Sequence, residues 1–302
     1  VPRPFVDRAG GPEQARLVAG STRGGTTWLA EMLAAGGHTR VVFEPFNAQH
    51  VAAAAGVAPR PYVRRGSEAD PSLEHMAQLF LGGRVRSPWT DRYCRPGIYR
   101  SRLVKDVRIS LMFGWLVERH ALRAVYVVRH PCAVTESRLR LGWKPVVANL
   151  LHDTGLVADH LEPFAAQLRD EDRLVERAAL LWAAETYVAL RARPASALCC
   201  AYEDLVSSPE GVLPALVEHF GTTTVDAALE QAAVRSWTAR LAPSPGSDTS
   251  RVLSADERLR VIRAIAPFGL DELYGVDGPP RAAGRETWAV LTPTALDHTE
   301  RT

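Results

Sequence analysis

The stretch Gly20-Ser-Thr-Arg-Gly-Gly-Thr-Thr has the spacing Gly-x4-Gly followed by hydroxyl residues. Glycines at these positions permit tight turns and a close approach of backbone to ligand. A helix opening near Thr26 aims free N–H groups and its positive dipole end at an anion. Loops that grip a triphosphate carry a lysine directly after the second glycine, for the β and γ phosphates. Here Thr26 stands in that place and the nearest cation is Arg23, whose guanidinium offers a fixed fork of donors for a doubly anionic group. The expected ligand is therefore a phosphate-type anion gripped by Arg23, Gly24, Gly25, Thr26 and Thr27, without the cation that triphosphate chemistry requires.

Other residues of reactive type stand at the ends of apolar runs. Arg129 closes "RAVYVV", Pro131 presets the following turn, and Ser137 comes eight residues after the arginine, about two helical turns along. Glu44 follows "RVVF" and precedes Pro45, where a carboxylate at a strand end can take a proton. Lys105 lies near the end of "SRLVKDVR", with Arg108 three positions on, as a point charge for an anion and an arginine suited to an anionic acceptor.

These motifs resemble those of sulfotransferases that use 3′-phosphoadenosine 5′-phosphosulfate (PAPS). "STRGGTTWL", which includes Trp28, looks like the family's 5′-phosphosulfate loop, with Gly24 where serine is usual. "RHPCAVTES" matches the 3′-phosphate pattern Arg-x-Pro-x5-Ser through Arg129, Pro131 and Ser137. "FEPFNAQH" is similar to the segment of carbohydrate-type sulfotransferases that carries an acidic base and then a histidine, though His50 is differently spaced. In cytosolic members a lysine comparable to Lys105 is followed three positions later by a base histidine. Arg108 replaces it, which favours Glu44. "AYEDL" resembles the family's Arg-Tyr-Glu-Asp-Leu segment, with Ala201 for arginine and a structural role expected for Tyr202, Glu203 and Asp204. The resemblance implies sulfuryl transfer from PAPS to a hydroxyl of a sugar or small-molecule acceptor, leaving adenosine 3′,5′-bisphosphate and needing no metal. It assigns catalysis to Glu44, Lys105 and Arg23, with His50 as a weaker second candidate base, and cofactor binding to Arg23, Gly24, Gly25, Thr26, Thr27, Trp28, Arg129 and Ser137. A basic loop over the nucleotide's 3′ end is common in the family, and Arg251 is its candidate here. The motifs occupy residues 16–50, 102–141 and 198–220.

The elements that must position these residues alternate. Apolar runs at residues 15–20, 40–47 (cut at Pro45), 101–108, 123–131 and 196–205 read as strands. Helical patterns follow most of them, with caps expected at Ser208 and Ser254. That order predicts an α/β protein, a parallel sheet flanked by helices in a P-loop-like sulfotransferase fold, with ligands at the carboxyl ends of the strands. One domain over residues 1–302 is expected, irregular or mobile at about 51–70 and 276–302. A helical acceptor-side region is expected at 142–195. Trp89 and Trp143 are placed to stack on an acceptor ring, whereas Trp182 is expected in the core.

Composition sets the outer bounds. The chain has 302 residues, 46% hydrophobic and 23% charged, enough for a sizeable core. A net charge of +2 gives no global pull toward nucleic acid or membrane, so any anion site is local. No apolar run has the length of a membrane span. The N-terminus lacks the apolar core of a signal sequence. The adjacent Cys199 and Cys200 suit buried thiols better than a disulfide frame or a zinc site. The expectation is a cytoplasmic protein, and the frequent Ala and Arg point to a GC-rich bacterial genome. Two other functions compete with sulfuryl transfer. One is a P-loop kinase using ATP or GTP, and the other is a nucleotide-binding module without catalysis.

Overall fold

The computed structural model describes residues 4–234 and 252–291. Five strands, β2 (Ala15–Gly20), β3 (Thr39–Phe43), β5 (Ser101–Asp106), β6 (Arg123–Val128) and β7 (Ala197–Ala201), form a parallel sheet in the order β3-β5-β2-β6-β7. A smaller parallel pair joins β1 (Phe5–Asp7) to β4 (Gly97–Tyr99). The helices are α1 (Thr26–Leu33), α2 (Pro71–Leu81), α3 (Phe113–Arg119), α4 (Pro131–Arg140), α5 (Thr154–Leu156) and α6 (Ala165–Asp170). They continue with α7 (Leu174–Ala192), α8 (Tyr202–Ser207), α9 (Pro209–Phe220), α10 (Val225–Ala232), α11 (Ala255–Ile265) and α12 (Ala282–Trp288).

Side chains of a strand alternate between the two faces of a sheet, so a strand covered on both faces must be apolar at every position. On one face Leu17, Ala19, Val104, Ala124, Tyr126 and Val128 pack in the same core as residues of α2, α3, α4, α7 and α11. On the other, Val18, Leu103, Val125 and Val127 pack with Leu29, Met32 and Leu33 of α1 and with α9. The unbroken apolar runs of the sequence are these doubly covered strands.

The two ends of the sheet are built for different purposes. At the amino ends, Arg40 and Arg102 are register neighbours on β3 and β5, and both are buried. Asp7 of β1 lies between them, 2.8 Å from Arg40 and 3.0 Å from Arg102, and Asp91 pairs with Arg40 at 2.7 Å. Burial alone would raise the pKa of Asp7, but the two guanidinium groups hold it below the usual carboxylate value. This cluster explains why a three-residue strand near the terminus forms at all. The carboxyl ends are open.

Several local expectations are corrected. The β1–β4 pair was not expected, because neither three-residue segment has a readable period. Residues 276–302 were expected to be irregular, yet Ala282–Trp288 is helical, held by the ion pair of Arg285 with Asp204, and Leu291 bridges to Cys200. Ser208 makes no cap bond; its hydroxyl is turned toward Glu210, to which it donates. Ser254 does cap, in a reciprocal capping box with Glu257. Residues 51–70 hold little regular structure beyond the turn Ala52–Ala54, but the segment is tied down by Arg60 on Glu185, Arg64 on Asp159 and Arg65 on Glu118. All four cysteines are buried and free.

Candidate active site

The loop after β2 turns at Ser21–Gly25 and enters α1 at Thr26. Gly25 has φ 90°, and a Cβ there would sit 2.2 Å from the Tyr202 ring, so the position admits only glycine without strain. Gly24 closes the turn, its N–H donating to the Ser21 carbonyl at 2.8 Å. Thr26 and Thr27 are buried in the first turn of α1, whose leading N–H groups lack partners within the helix. The loop is anchored from below. The Ser21 hydroxyl contacts Glu185, Arg138 donates to Ser21 at 2.6 Å, and Arg138 and Arg60 pair with Glu185 at 3.0 and 2.6 Å.

Arg23 joins the two anion motifs. Its backbone is left-handed, with φ 73°, a conformation that non-glycine residues adopt at a cost of about 1–3 kcal/mol. Its carbonyl accepts from Arg129 Nη1 at 3.0 Å, and its Nε donates to Ser137 Oγ at 2.9 Å. Arg129 reaches the loop from the end of β6, and Ser137 from α4. Burial and the neighbouring Arg129 charge both lower the pKa of Arg23, with Glu44 pulling it back up. Arg129 also lies 4.2 Å from the centre of the Tyr202 ring, and its Nε is buried without a hydrogen-bond partner. Two facing cations with an unmet donor form a place for an anion.

Glu44 follows β3 directly and is also left-handed, with φ 42°. Its N–H donates to the Lys105 carbonyl at 2.7 Å, and Lys105 Nζ donates to its carboxylate at 2.5 Å. Lys105 is only 2% exposed and lies 4.6 Å from the centre of the Phe43 ring. Burial alone would raise the pKa of Glu44, but Lys105 and then Arg108 hold it below the usual carboxylate value. Asp106 beneath accepts from the Phe46 and Arg108 N–H groups at 2.9 and 2.8 Å, which fixes the chain on both sides of the pair. Burial and the charge of Glu44 push Asp106 up to about 6.

Arg23, Gly25, Glu44, Lys105 and Arg129 open onto one cleft of about 1040 Å³, and Gly24 shapes the loop without lining it. Each strand of the sheet delivers a lining residue at or just past its carboxyl end: Arg23 after β2, Glu44 after β3, Lys105 on β5, Arg129 after β6 and Tyr202 after β7. That is where open parallel sheets bind ligands. Thr26, Thr27, Trp28 and Ser137 line it too. His50 is exposed at its edge, stacked on Trp89 at 3.7 Å, and Arg92 lies 4.0 Å from the same indole. Arg108 also lines the cleft, with its Nε buried and without a hydrogen-bond partner. Arg251 lies outside the described residues.

Three site features escaped the sequence reading. Tyr202 was assigned structure alone, but its ring covers Gly25 and faces Trp28 at 5.8 Å. Its neighbours do brace the fold. Glu203 accepts from the His130 N–H at 2.8 Å and from Tyr274 Oη at 2.8 Å, and Asp204 holds Arg285. The Arg138–Glu185 pair under the loop was missed as well. The available signal was a glutamate inside the apolar run "LLWAAETYVAL". Arg60, which completes that network from an irregular segment, had no signal.

No family model matches this sequence, and no curated protein matches it. Among solved structures, the chain is similar to a sulfotransferase domain from the curacin biosynthetic pathway, at 17% identity and a TM-score of 0.41, over 97% of this chain and 100% of that one. It is also similar to a sulfotransferase domain from the Synechococcus PCC 7002 olefin synthase, at 17% identity and a TM-score of 0.37, over 89% of this chain and 95% of that one. The architecture rests on the strand pairing itself, and the chemistry on the cleft.

Proposed function

We propose that the chain is a sulfotransferase that moves a sulfuryl group from PAPS to the hydroxyl of a small acceptor. One observation carries the reading. Arg23, Arg129 and Ser137, from three separate elements, meet through bonds of 2.9 and 3.0 Å at the mouth of a glycine loop that lacks a lysine. A ligand with one phosphate on its ribose and a phosphosulfate at its 5′ end presents anions to both parts of that cluster.

The residues present fit such a donor. The unmet Arg129 Nε, the Arg23–Arg129 charge pair and the α1 N-terminus are all anion-seeking. The donor supplies an activated sulfuryl group on its 5′-phosphate. The bond from sulfur to the bridging phosphate oxygen breaks with its electrons left on the phosphate. The acceptor oxygen bonds to sulfur, and its proton passes to Glu44. Arg23 and the loop amides hold the phosphate as charge grows on it. Lys105 serves two roles in this scheme. In the resting cleft it keeps Glu44 ionised. When an anionic sulfuryl group enters, its ammonium turns toward those oxygens, and Glu44, relieved of its cation, becomes a stronger base.

Calorimetry tests the reading. Adenosine 3′,5′-bisphosphate should bind without added metal and more tightly than ATP. Metal-dependent preference for ATP would instead establish the kinase reading. A bisphosphate complex that transfers no labelled sulfur from PAPS to any alcohol or sugar would leave only a binding module.

A further inference from the structure

The cleft does not end at Glu44. A second cavity of about 800 Å³ adjoins it, and Gln49, Arg60 and Trp143 line both. Its buried wall is aliphatic, made by Leu150, Leu156 and Leu181. Ala58, Pro59, Pro145 and Val146 add to the apolar lining. At its rim two large apolar side chains face solvent, Trp143 at 40% exposure and Val146 at 57%. Singly, exposed apolar residues are ordinary, but here they border a cavity with an aliphatic wall.

Four polar residues of this cavity, Gln49, Lys144, Asn149 and His152, are exposed, and its other polar groups are engaged within the protein. Arg60 and Arg138 are paired with Glu185. Asp153 caps α5, accepting from the Leu156 N–H at 2.9 Å. A sugar needs several free donors and acceptors converging on its ring hydroxyls, because each one buried without a partner costs binding energy. A hydrocarbon needs only apolar wall.

We propose that this second cavity seats the body of the acceptor, and that the acceptor is an alcohol carrying an extended hydrocarbon portion rather than a sugar. The hydrocarbon lies between Val146 and the three leucines. Its hydroxyl is delivered past Gln49, Arg60 and Trp143 into the cleft of Glu44. This inference rests on the sulfuryl-transfer reading, and it departs from the sugar acceptor that the "FEP" resemblance implies.

The test uses the full chain in three steps. Bisphosphate calorimetry first decides whether the parent reading stands. Next, transfer of labelled sulfur from PAPS is measured for a series of straight-chain primary alcohols from butanol to dodecanol, alongside glucose and N-acetylglucosamine. The expected result is a KM that falls with chain length, by up to about fourfold per methylene, with the sugars inactive. Val146→Asp, a change at an exposed position, should erase that slope while keeping the wild-type melting temperature. A flat series, a preference for the sugars, or an unaltered slope in Val146→Asp would overturn the proposal. A third measurement does not depend on turnover. Saturable quenching of tryptophan fluorescence by 10-bromodecan-1-ol, weakened in Val146→Asp, supports the cavity as a hydrocarbon site even if the bisphosphate fails to bind. Absence of saturable quenching rejects it even if the bisphosphate binds.

Discussion

Lys105 and Glu44, side by side at the carboxyl ends of adjacent strands, form a nearly buried ion pair at 2.5 Å on the wall of the anion cleft. A carboxylate held this way is ionised and ready to accept a proton, but only weakly basic until its cation is drawn off. Glu44→Gln keeps the shape and removes the base. Turnover should fall on the order of 10²-fold or more, while bisphosphate affinity by calorimetry stays near wild type. Undiminished turnover would remove Glu44 from the role.

Arg129 has one contact already made, to the Arg23 carbonyl, and one donor still unmet, which the proposed nucleotide would engage. Arg129→Ala should weaken adenosine 3′,5′-bisphosphate binding by about 1.5–3 kcal/mol, the scale of a hydrogen bond to a charged group. Adenosine itself, which lacks the phosphates, should bind the two proteins alike. Equal loss for both ligands would mean the variant had damaged the cleft in general.

Gly25→Ala combines two faults, a left-handed backbone and a methyl group placed 2.2 Å from the Tyr202 ring. The backbone alone should cost about 1–3 kcal/mol. In the double variant Gly25→Ala/Tyr202→Ala the collision is relieved and the backbone cost remains. Part of the stability lost by the single variant, measured in urea, should therefore return.

Glu185 holds the loop from beneath. With Gln in its place, Arg138 stays buried and the Arg60 contact loses its charge partner. Removing one member of a buried pair costs about 3–5 kcal/mol. Glu185→Gln should show that loss in a urea titration, together with weaker bisphosphate binding, because Ser21 keeps Arg138 but loses the charged acceptor that fixes it. A stable variant with a loosened nucleotide site would show that the network positions the loop without carrying the fold.

His130 gives a pH signature. Its Nδ1 accepts from the Cys132 N–H at 3.2 Å as the cap of α4, which requires the neutral ring. Burial and the Arg258 charge push its pKa down from 6.5 to about 4. Between those values the unfolded chain binds a proton that the folded chain refuses. The contribution is thus complete above pH 6.5 and lost as pH falls toward 4, about 3 kcal/mol at roughly 1.4 per pH unit. His130→Asn retains a capping acceptor without the titration. Its stability should change less steeply than wild type over that window.

The parts of this protein that were legible in the sequence are those where one residue type has one physical use. Unbroken apolar runs marked the doubly covered strands, and the residues following them, Arg23, Glu44 and Arg129, converge because parallel strands end on one side. The missed parts depend on partners distant in sequence. Phe5–Asp7 is a strand because Asp7 neutralises Arg40 and Arg102, which no local pattern reveals. Ala282–Trp288 is fastened by Arg285 to an aspartate 81 residues away. Ser208 has the right type for a cap, but its hydroxyl is turned toward the Glu210 carboxylate and accepts no helix N–H.

Among the described residues, Arg23 and Glu44 belong to a group of only four non-glycine positions with left-handed backbone. Directed evolution for heat tolerance alone would therefore favour glycine at both, relaxing the main chain while deleting two side chains that line the cleft. Libraries meant to harden this protein should leave both codons fixed and seek their gains elsewhere.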